Sequence, residues 1–160
     1  MKPLIPSLTT LAVAACLAAP AFAGTVISVD LWDAGETMVM VDNMRIMNHA
    51  DMMHAPMAIK ISQDTAPAGE ITFNAVNSSK SIEHEMVIAT LTDPTAGLVY
   101  KQNSGRVDEN APGMNLGEIA ELEPGEKGSL TVTLAPGTYA LYCNLAGHYA
   151  SGMWTILTVE

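Results

Sequence analysis

The stretch that decides the fold is residues 142–153, which read Tyr142-Cys143-Asn144-Leu145-Ala146-Gly147-His148-Tyr149-Ala150-Ser151-Gly152-Met153. Three of these side chains can bind a soft metal, and their spacing is C-x4-H-x4-M. Alternating apolar segments lie on both sides, so we predict that two strands hold the ends of one loop. Gly147 and Gly152 allow the tight bends that such a loop needs. The pattern predicts a chelating loop between two strands.

This donor set favours copper. Cu(I) prefers soft ligands and few of them, whereas Cu(II) prefers a tetragonal set of nitrogen and oxygen, and a thiolate, two imidazoles and a weak thioether are a compromise between the two. The second imidazole has to come from elsewhere in the chain. His84 stands where a predicted strand begins after the turn at residues 77–80, whereas His49 and His54 lie outside the regular strand pattern. His84 is therefore the candidate for the fourth ligand.

Period-2 alternation dominates the rest of the chain, and Pro-Gly turns separate the alternating segments. The predicted strands are residues 25–31, 57–61, 71–75, 85–91, 129–134, 139–143 and 154–159. No long stretch has a helical period, and residues 92–118 predict a long irregular connection. Several short strands in one small domain indicate an all-β fold, which we expect to be an antiparallel β-sandwich.

The loop, with His84 about sixty residues upstream, resembles the copper site of the cupredoxins of the plastocyanin and azurin type, and its spacing is similar to that of rusticyanin and sulfocyanin. The resemblance covers residues 57–160. It rests also on three shorter stretches, Ala68-Gly69-Glu70-Ile71-Thr72-Phe73, His84-Glu85-Met86 and Leu122-Glu123-Pro124-Gly125-Glu126.

The resemblance implies a Greek-key β-sandwich or barrel that binds one type 1 copper ion and is blue or green. It implies that His84, Cys143 and His148 form the trigonal plane and that Met153 is the axial ligand. Many members carry Asn or Ser directly after the first ligand histidine, where this chain has Glu85. That difference leaves the hydrogen bonding around the ligands, and with it the redox potential and colour, open at this stage.

The N-terminus predicts export. Lys2, an apolar run and Ala21-Phe22-Ala23 form a signal peptide over residues 1–23, which places the mature protein in the periplasm. The alternative is a lipid anchor on Cys16. Removal of the signal leaves Cys143 as the one cysteine, too few for an internal disulfide. The net charge of −10 argues against nucleic acid as a partner, and no segment is long enough to span a membrane.

A second feature is the Met/His-rich segment, residues 33–57, which holds seven of the eleven methionines together with His49 and His54. Thioethers select Cu(I), so a second copper region is one interpretation, and packing of flexible methionines over the barrel is the other. The candidate ligands are Met44, Met47, His49, Met52, Met53 and His54. We divide the chain into residues 1–23, a strand plus this segment over 24–56, and the cupredoxin domain over 57–160.

Two functions follow from these patterns. The first is a monomeric carrier of single electrons, with redox partners docking near His148 on an apolar patch of Ala146, Tyr149 and Ala150. The second is copper handling, in which the copper site and the Met/His-rich segment sequester or oxidise copper and confer tolerance. A copper enzyme would need further histidine clusters, and four histidines with no His-x-His pair do not provide them. We therefore expect a non-enzymatic protein.

Overall fold

A computed structural model of the protein describes residues 24–35, 55–93 and 95–160. Within these ranges the chain forms strands, turns and irregular connections, and no helix. The strands are β1 (Thr25–Asp33), β2 (Met57–Ile61), β3 (Thr65–Ala66), β4 (Gly69–Asn77), β5 (His84–Thr90), β6 (Tyr100–Lys101), β7 (Arg106–Val107), β8 (Glu118–Leu122), β9 (Lys127–Leu134), β10 (Gly137–Tyr142) and β11 (Trp154–Val159). The predicted all-β fold is confirmed.

Two sheets make up the sandwich. The first has the strand order β2-β1-β4-β9 and the second has the order β3-β11-β10-β5-β8, while β6 and β7 form a small separate ribbon. The sheets are mixed, because β1 runs parallel to β4 and β3 runs parallel to β11. The expected antiparallel pairing was therefore wrong for these two pairs of strands. After β2 the chain crosses to the second sheet as β3 and returns on the other side of β1, which leaves β4 parallel to β1.

The main core lies between the two sheets and follows the period-2 alternation. In β1 the inward row is Ile27, Val29 and Leu31, each at most 2 % exposed. Because β1 pairs with β2 and β4, the sandwich includes β1 as well as residues 57–160.

A second apolar cluster covers the outer face of the second sheet. Val87 and Tyr142 on that face pack with Leu98, Val107 and Met114 from the 92–118 connection. The connection is therefore a packed layer, and β5 is buried on both faces, which explains its nearly continuous apolar sequence.

One end of the sandwich collects the elements that matter for the site. β10 ends at Tyr142 and β11 begins at Trp154, which is its partner across the pair. At the same end β1 pairs Asp33 with Met57 of β2, and the Ala34 N–H donates to the Pro56 carbonyl at 2.8 Å. The two ends of the Met/His-rich segment therefore lie side by side, while its central residues, 36–54, lie outside the described part of the chain.

Candidate metal centre

Three of the predicted ligands meet in the structure. His84 Nδ1 lies 3.3 Å from His148 Nδ1, and His148 Nδ1 lies 3.3 Å from the Cys143 sulfur. The donor atoms of all three residues lie within 4.8 Å of one another. An ion about 2 Å from each of two donors requires donors less than about 4 Å apart, so the two shorter separations fit one common ion.

The chelating loop is closed at its base by main-chain hydrogen bonds. The Cys143 N–H donates to the Met153 carbonyl at 3.0 Å, and the Met153 N–H donates to the His148 carbonyl at 3.0 Å. Gly147 has a φ of 83°, a backbone conformation that residues with a Cβ rarely adopt. Its N–H donates to the Gly105 carbonyl at 2.8 Å. These bonds bring Met153, which is fully buried, back to the side of Cys143.

His84 is held from the opposite side by a carboxylate. Its Nε2 lies 2.9 Å from Asp33 Oδ2, and both side chains are at most 1 % exposed. Asp33 in turn accepts a hydrogen bond from the Ser79 hydroxyl and one from the Gly35 N–H, the latter at 2.6 Å. Asp33 is not among the site residues predicted from the sequence. The signal that could have found it is a carboxylate at the inward position that continues the apolar row of β1.

Burial dominates the electrostatics of the donors in the metal-free protein. It lowers the pKa of His148 to about 4, with the neighbouring His84 adding to the effect. It raises the pKa of the Cys143 thiol to about 12, although two main-chain N–H groups act in the opposite direction. The two groups therefore favour their neutral forms, and binding of a metal by the thiolate releases a proton.

The Cys143 sulfur accepts hydrogen bonds from two main-chain N–H groups, those of Glu85 and Leu145. One of these donors comes from β5 and the other from the chelating loop. Such bonds stabilise a thiolate without requiring any particular side chain.

Glu85 itself does not lie on the surface. Only 7 % of it is exposed, although a charged side chain more often lies on the surface. Its carboxylate accepts the Asn144 N–H, and burial together with the nearby Glu121 and Glu109 raises its pKa to about 7. Glu85 therefore ties β5 to the residue after Cys143, which resolves the hydrogen bonding that the sequence left open.

Asn144 links the same loop to the connection that covers the sheet. Its side chain accepts the Val107 N–H at 2.6 Å, donates to the Val107 carbonyl at 3.1 Å and contacts the Glu109 carboxylate. Arg106 Nη1 donates to the Asn144 carbonyl at 2.8 Å. The sheet and the 92–118 connection thus both position the chelating loop.

The surface beside His148 differs from the predicted apolar patch. Ala146 is exposed, but Tyr149 and Ala150 are 5 % and 7 % exposed. The Tyr149 ring turns inward because its hydroxyl oxygen accepts the Leu98 N–H at 3.1 Å and the ring packs against Tyr142.

Two groups of predictions lie outside the described residues. They are the signal peptide over residues 1–23 and the second copper region of Met44, Met47, His49, Met52, Met53 and His54. Both stay predictions. Among the described residues, His84, Cys143 and His148 form the one cluster of histidine, cysteine and acidic side chains close enough to hold a metal ion. Two imidazole nitrogens and a sulfur in a buried site suit copper.

Comparison with known proteins gives a family match over most of the chain. The profile of the sulfocyanin (SoxE) domain matches residues 58–160. No curated protein sequence matches the chain.

Solved structures share the fold at low sequence identity. Auracyanin B is 23 % identical, with 89 % of this chain and 93 % of that chain covered and a TM-score of 0.54. Rusticyanin from Thiobacillus ferrooxidans is 14 % identical, with coverages of 87 % and 80 % and a TM-score of 0.55. Auracyanin A, a "blue" copper protein from Chloroflexus aurantiacus, is 17 % identical, with coverages of 86 % and 100 % and a TM-score of 0.51.

Proposed function

Because this chain belongs to the sulfocyanin (SoxE) domain family and is therefore a cupredoxin with a type 1 copper cofactor, we propose that it shuttles single electrons between redox proteins in the periplasm. The proposed ligands are His84, Cys143, His148 and Met153. When bound, copper supplies the one-electron Cu(I)/Cu(II) couple. The observation that carries the proposal is the convergence of two imidazole nitrogens and one sulfur, with two of the three separations at 3.3 Å and all three within 4.8 Å.

The residues around these donors keep them in place. Main-chain bonds join Cys143 to Met153 at the base of the loop, and Asp33 holds His84 from behind. A donor set that is rigid before the metal binds changes little between the two oxidation states. Fast electron transfer follows from that rigidity, since little has to move when the electron arrives.

The route to a partner runs through His148. His84 and Cys143 have no exposed surface, whereas His148 is 8 % exposed and stands next to the exposed Ala146. We propose that redox partners dock there. The net charge of −10 favours partners with a basic surface.

Loading the purified protein with Cu(II) tests the site. We expect one copper per cupredoxin domain, an intense thiolate-to-copper absorption band and a type 1 EPR spectrum. Cys143→Ser removes the band, and Met153→Leu shifts the redox potential. Met114→Leu is the matched control, because Met114 is also buried but lies in the cluster on the outer face of the second sheet. A colourless wild-type protein, or equal shifts in Met153→Leu and Met114→Leu, would contradict the ligand assignment.

Electron self-exchange, measured by NMR line broadening on mixtures of oxidised and reduced protein, tests the docking surface without a known partner. Ala146→Gln places a polar side chain beside His148, so we expect the exchange rate to fall severalfold. Val26→Gln is the control, because Val26 is 57 % exposed and lies seven residues before Asp33 on β1. Equal rates in the two variants would place the docking surface elsewhere.

Export is tested by cell fractionation and intact mass. We expect periplasmic protein that begins at Gly24, whereas a lipid anchor would give an acylated protein that begins at Cys16. Since β1 begins at Thr25, loss of residues 1–23 leaves all the strands of the described residues in place. Unprocessed protein in the cytoplasm would contradict both the cleaved signal peptide and the lipid anchor.

Copper handling is the second candidate function. The observation that favours it is the position of the ends of the Met/His-rich segment, since Asp33 pairs with Met57 and also contacts His84. Replacing residues 36–54 with a short Gly/Ser linker separates the two functions. For copper handling we expect the stoichiometry to fall to one copper and copper tolerance to be lost. For electron transfer alone, stoichiometry and self-exchange rate stay unchanged.

A further inference from the structure

Asp33 occupies a position that the fold gives to apolar side chains. It continues the inward row of Ile27, Val29 and Leu31 on β1, and its side chain is 1 % exposed. A buried carboxylate is costly unless its oxygens are hydrogen-bonded. A carboxylate at this position therefore needs a specific set of partners, and the structure provides one.

Two of the partners of Asp33 are hydrogen-bond donors, and the third is a ring nitrogen of His84. Oδ1 accepts the Gly35 N–H at 2.6 Å, Oδ2 lies 2.9 Å from His84 Nε2, and the Ser79 hydroxyl donates to the carboxylate. The Ser79 oxygen itself accepts the Ile82 N–H at 2.9 Å and the Ser81 N–H at 3.2 Å, so its proton is directed to Asp33. The Gly35 N–H and the Ser79 hydroxyl both stabilise the ionised form of this carboxylate, which can only accept hydrogen bonds.

The proton on His84 follows from this arrangement. Because an ionised carboxylate only accepts hydrogen bonds, the neutral imidazole carries its proton on Nε2, facing Asp33. Nδ1 is then unprotonated, and it is the nitrogen that lies 3.3 Å from His148 Nδ1. The lone pair of His84 therefore faces the site where the other donors converge.

We propose that Asp33 is a positioning residue of the copper centre: its carboxylate fixes His84 in the Nε2–H tautomer and favours Cu(II) over Cu(I). This rests on the proposed ligand role of His84. The orienting effect comes from the hydrogen bond, because a partner on the far ring nitrogen sets the orientation and basicity of a metal-binding imidazole. The charge effect comes from Coulomb attraction, because Cu(II) carries one positive charge more than Cu(I) and the buried surroundings screen the carboxylate weakly.

Two substitutions separate the effects. Asp33→Asn removes the charge but keeps an oxygen that can accept the Nε2 proton, whereas Asp33→Ala removes both. Asp30→Asn is the matched control, because it removes one negative charge from the same strand, three residues before Asp33. Circular dichroism of each variant establishes that the sandwich is folded, and Asp33→Asn alone decides the charge effect if Asp33→Ala does not fold.

The first measurement is the 15N NMR spectrum of the histidine rings in the metal-free protein. We expect His84 as the Nε2–H tautomer in wild type and Asp33→Asn, and a mixture of tautomers in Asp33→Ala. An Nδ1–H tautomer in wild type would overturn the proposal. Because this measurement needs no metal, it stands apart from the proposed function, which fails if the wild-type protein shows no thiolate-to-copper band.

The second measurement is the midpoint potential of the copper-loaded protein. We expect Asp33→Asn to lower the Cu(II) to Cu(I) affinity ratio at least about tenfold, which is a rise of about 59 mV for a one-electron couple. Asp30→Asn should leave the potential close to that of wild type. An unchanged potential in Asp33→Asn, or an equal rise in Asp30→Asn, would overturn the assignment of the charge effect to Asp33.

Discussion

Replacing Asn77 with alanine tests whether one side chain holds the loop that precedes His84. Asn77 ends β4 and is fully buried. Its Nδ2 donates to the Ile82 and Leu122 carbonyls, both at 2.8 Å, and its Oδ1 accepts the Ser79 N–H at 2.9 Å. The side chain therefore fixes both ends of the loop that carries Ser79, a partner of Asp33.

The expected loss of stability follows from these three bonds. A buried group left without its partner costs about 1–3 kcal/mol. Two of the three bonds are fully buried, while the bond to Ile82 is partly buried. We expect Asn77→Ala to lower the free energy of unfolding by about 3–5 kcal/mol. That is a large share of the roughly 5–15 kcal/mol that stabilises a domain of this size.

Urea denaturation of the metal-free protein measures the loss. Asn74→Ala is the matched control on the same strand, because the hydrogen bond that its side-chain oxygen accepts from the Ser129 hydroxyl at 2.9 Å is exposed. We expect that control to change stability by less than about 0.5 kcal/mol. The reasoning is refuted if Asn77→Ala costs less than about 1 kcal/mol, or if the two substitutions cost the same.

Three further substitutions have defined outcomes. Glu85→Ala leaves the buried Asn144 N–H without an acceptor, so we expect the free energy of unfolding in urea to fall by about 1–3 kcal/mol and the thiolate band to shift. Glu85→Gln should largely restore both, and equal losses in the two variants would contradict this role of Glu85. Gly128→Ala brings a Cβ into collision with Ile119 Cγ2, so we expect the free energy of unfolding to fall by about 1–3 kcal/mol. An unchanged melting temperature would contradict this and show that β8 moves to make room for the methyl group. Tyr149→Phe removes the acceptor of a buried main-chain N–H in the 92–118 connection, so we expect the free energy of unfolding to fall by about 1–3 kcal/mol while the copper spectrum is retained. A changed spectrum would show that the Tyr149 hydroxyl also helps to orient His148.

Much of the fold could be predicted because each strand of the core shows its buried face in its own alternating sequence. The inward rows of β1, β4 and β9 alternate with more exposed residues, and the chelating loop lies between β10 and β11 as predicted. β8 was missed because its burial does not alternate: its pairing with β5 shifts register between His84 and Met86, so two exposed residues follow each other.

The parts that could not be predicted depend on contacts between distant segments. Glu85 is buried because the 92–118 connection covers the outer face of β5, and no local pattern shows which face a connection covers. Asp33 meets His84 because β1 ends where β5 begins, although the two residues are 51 positions apart in the chain. The spacing of the loop predicts its three donors. The groups that orient those donors, or that place a charge beside them, are brought there by tertiary structure.

The two hydrogen bonds to the Cys143 sulfur have an evolutionary consequence. Both donors are main-chain amides, those of Glu85 and Leu145, so any of the other amino acids except proline at these positions retains a donor. Sequence drift at residues 85 and 145 can therefore change the polarity and volume around the sulfur while the contact itself is inherited.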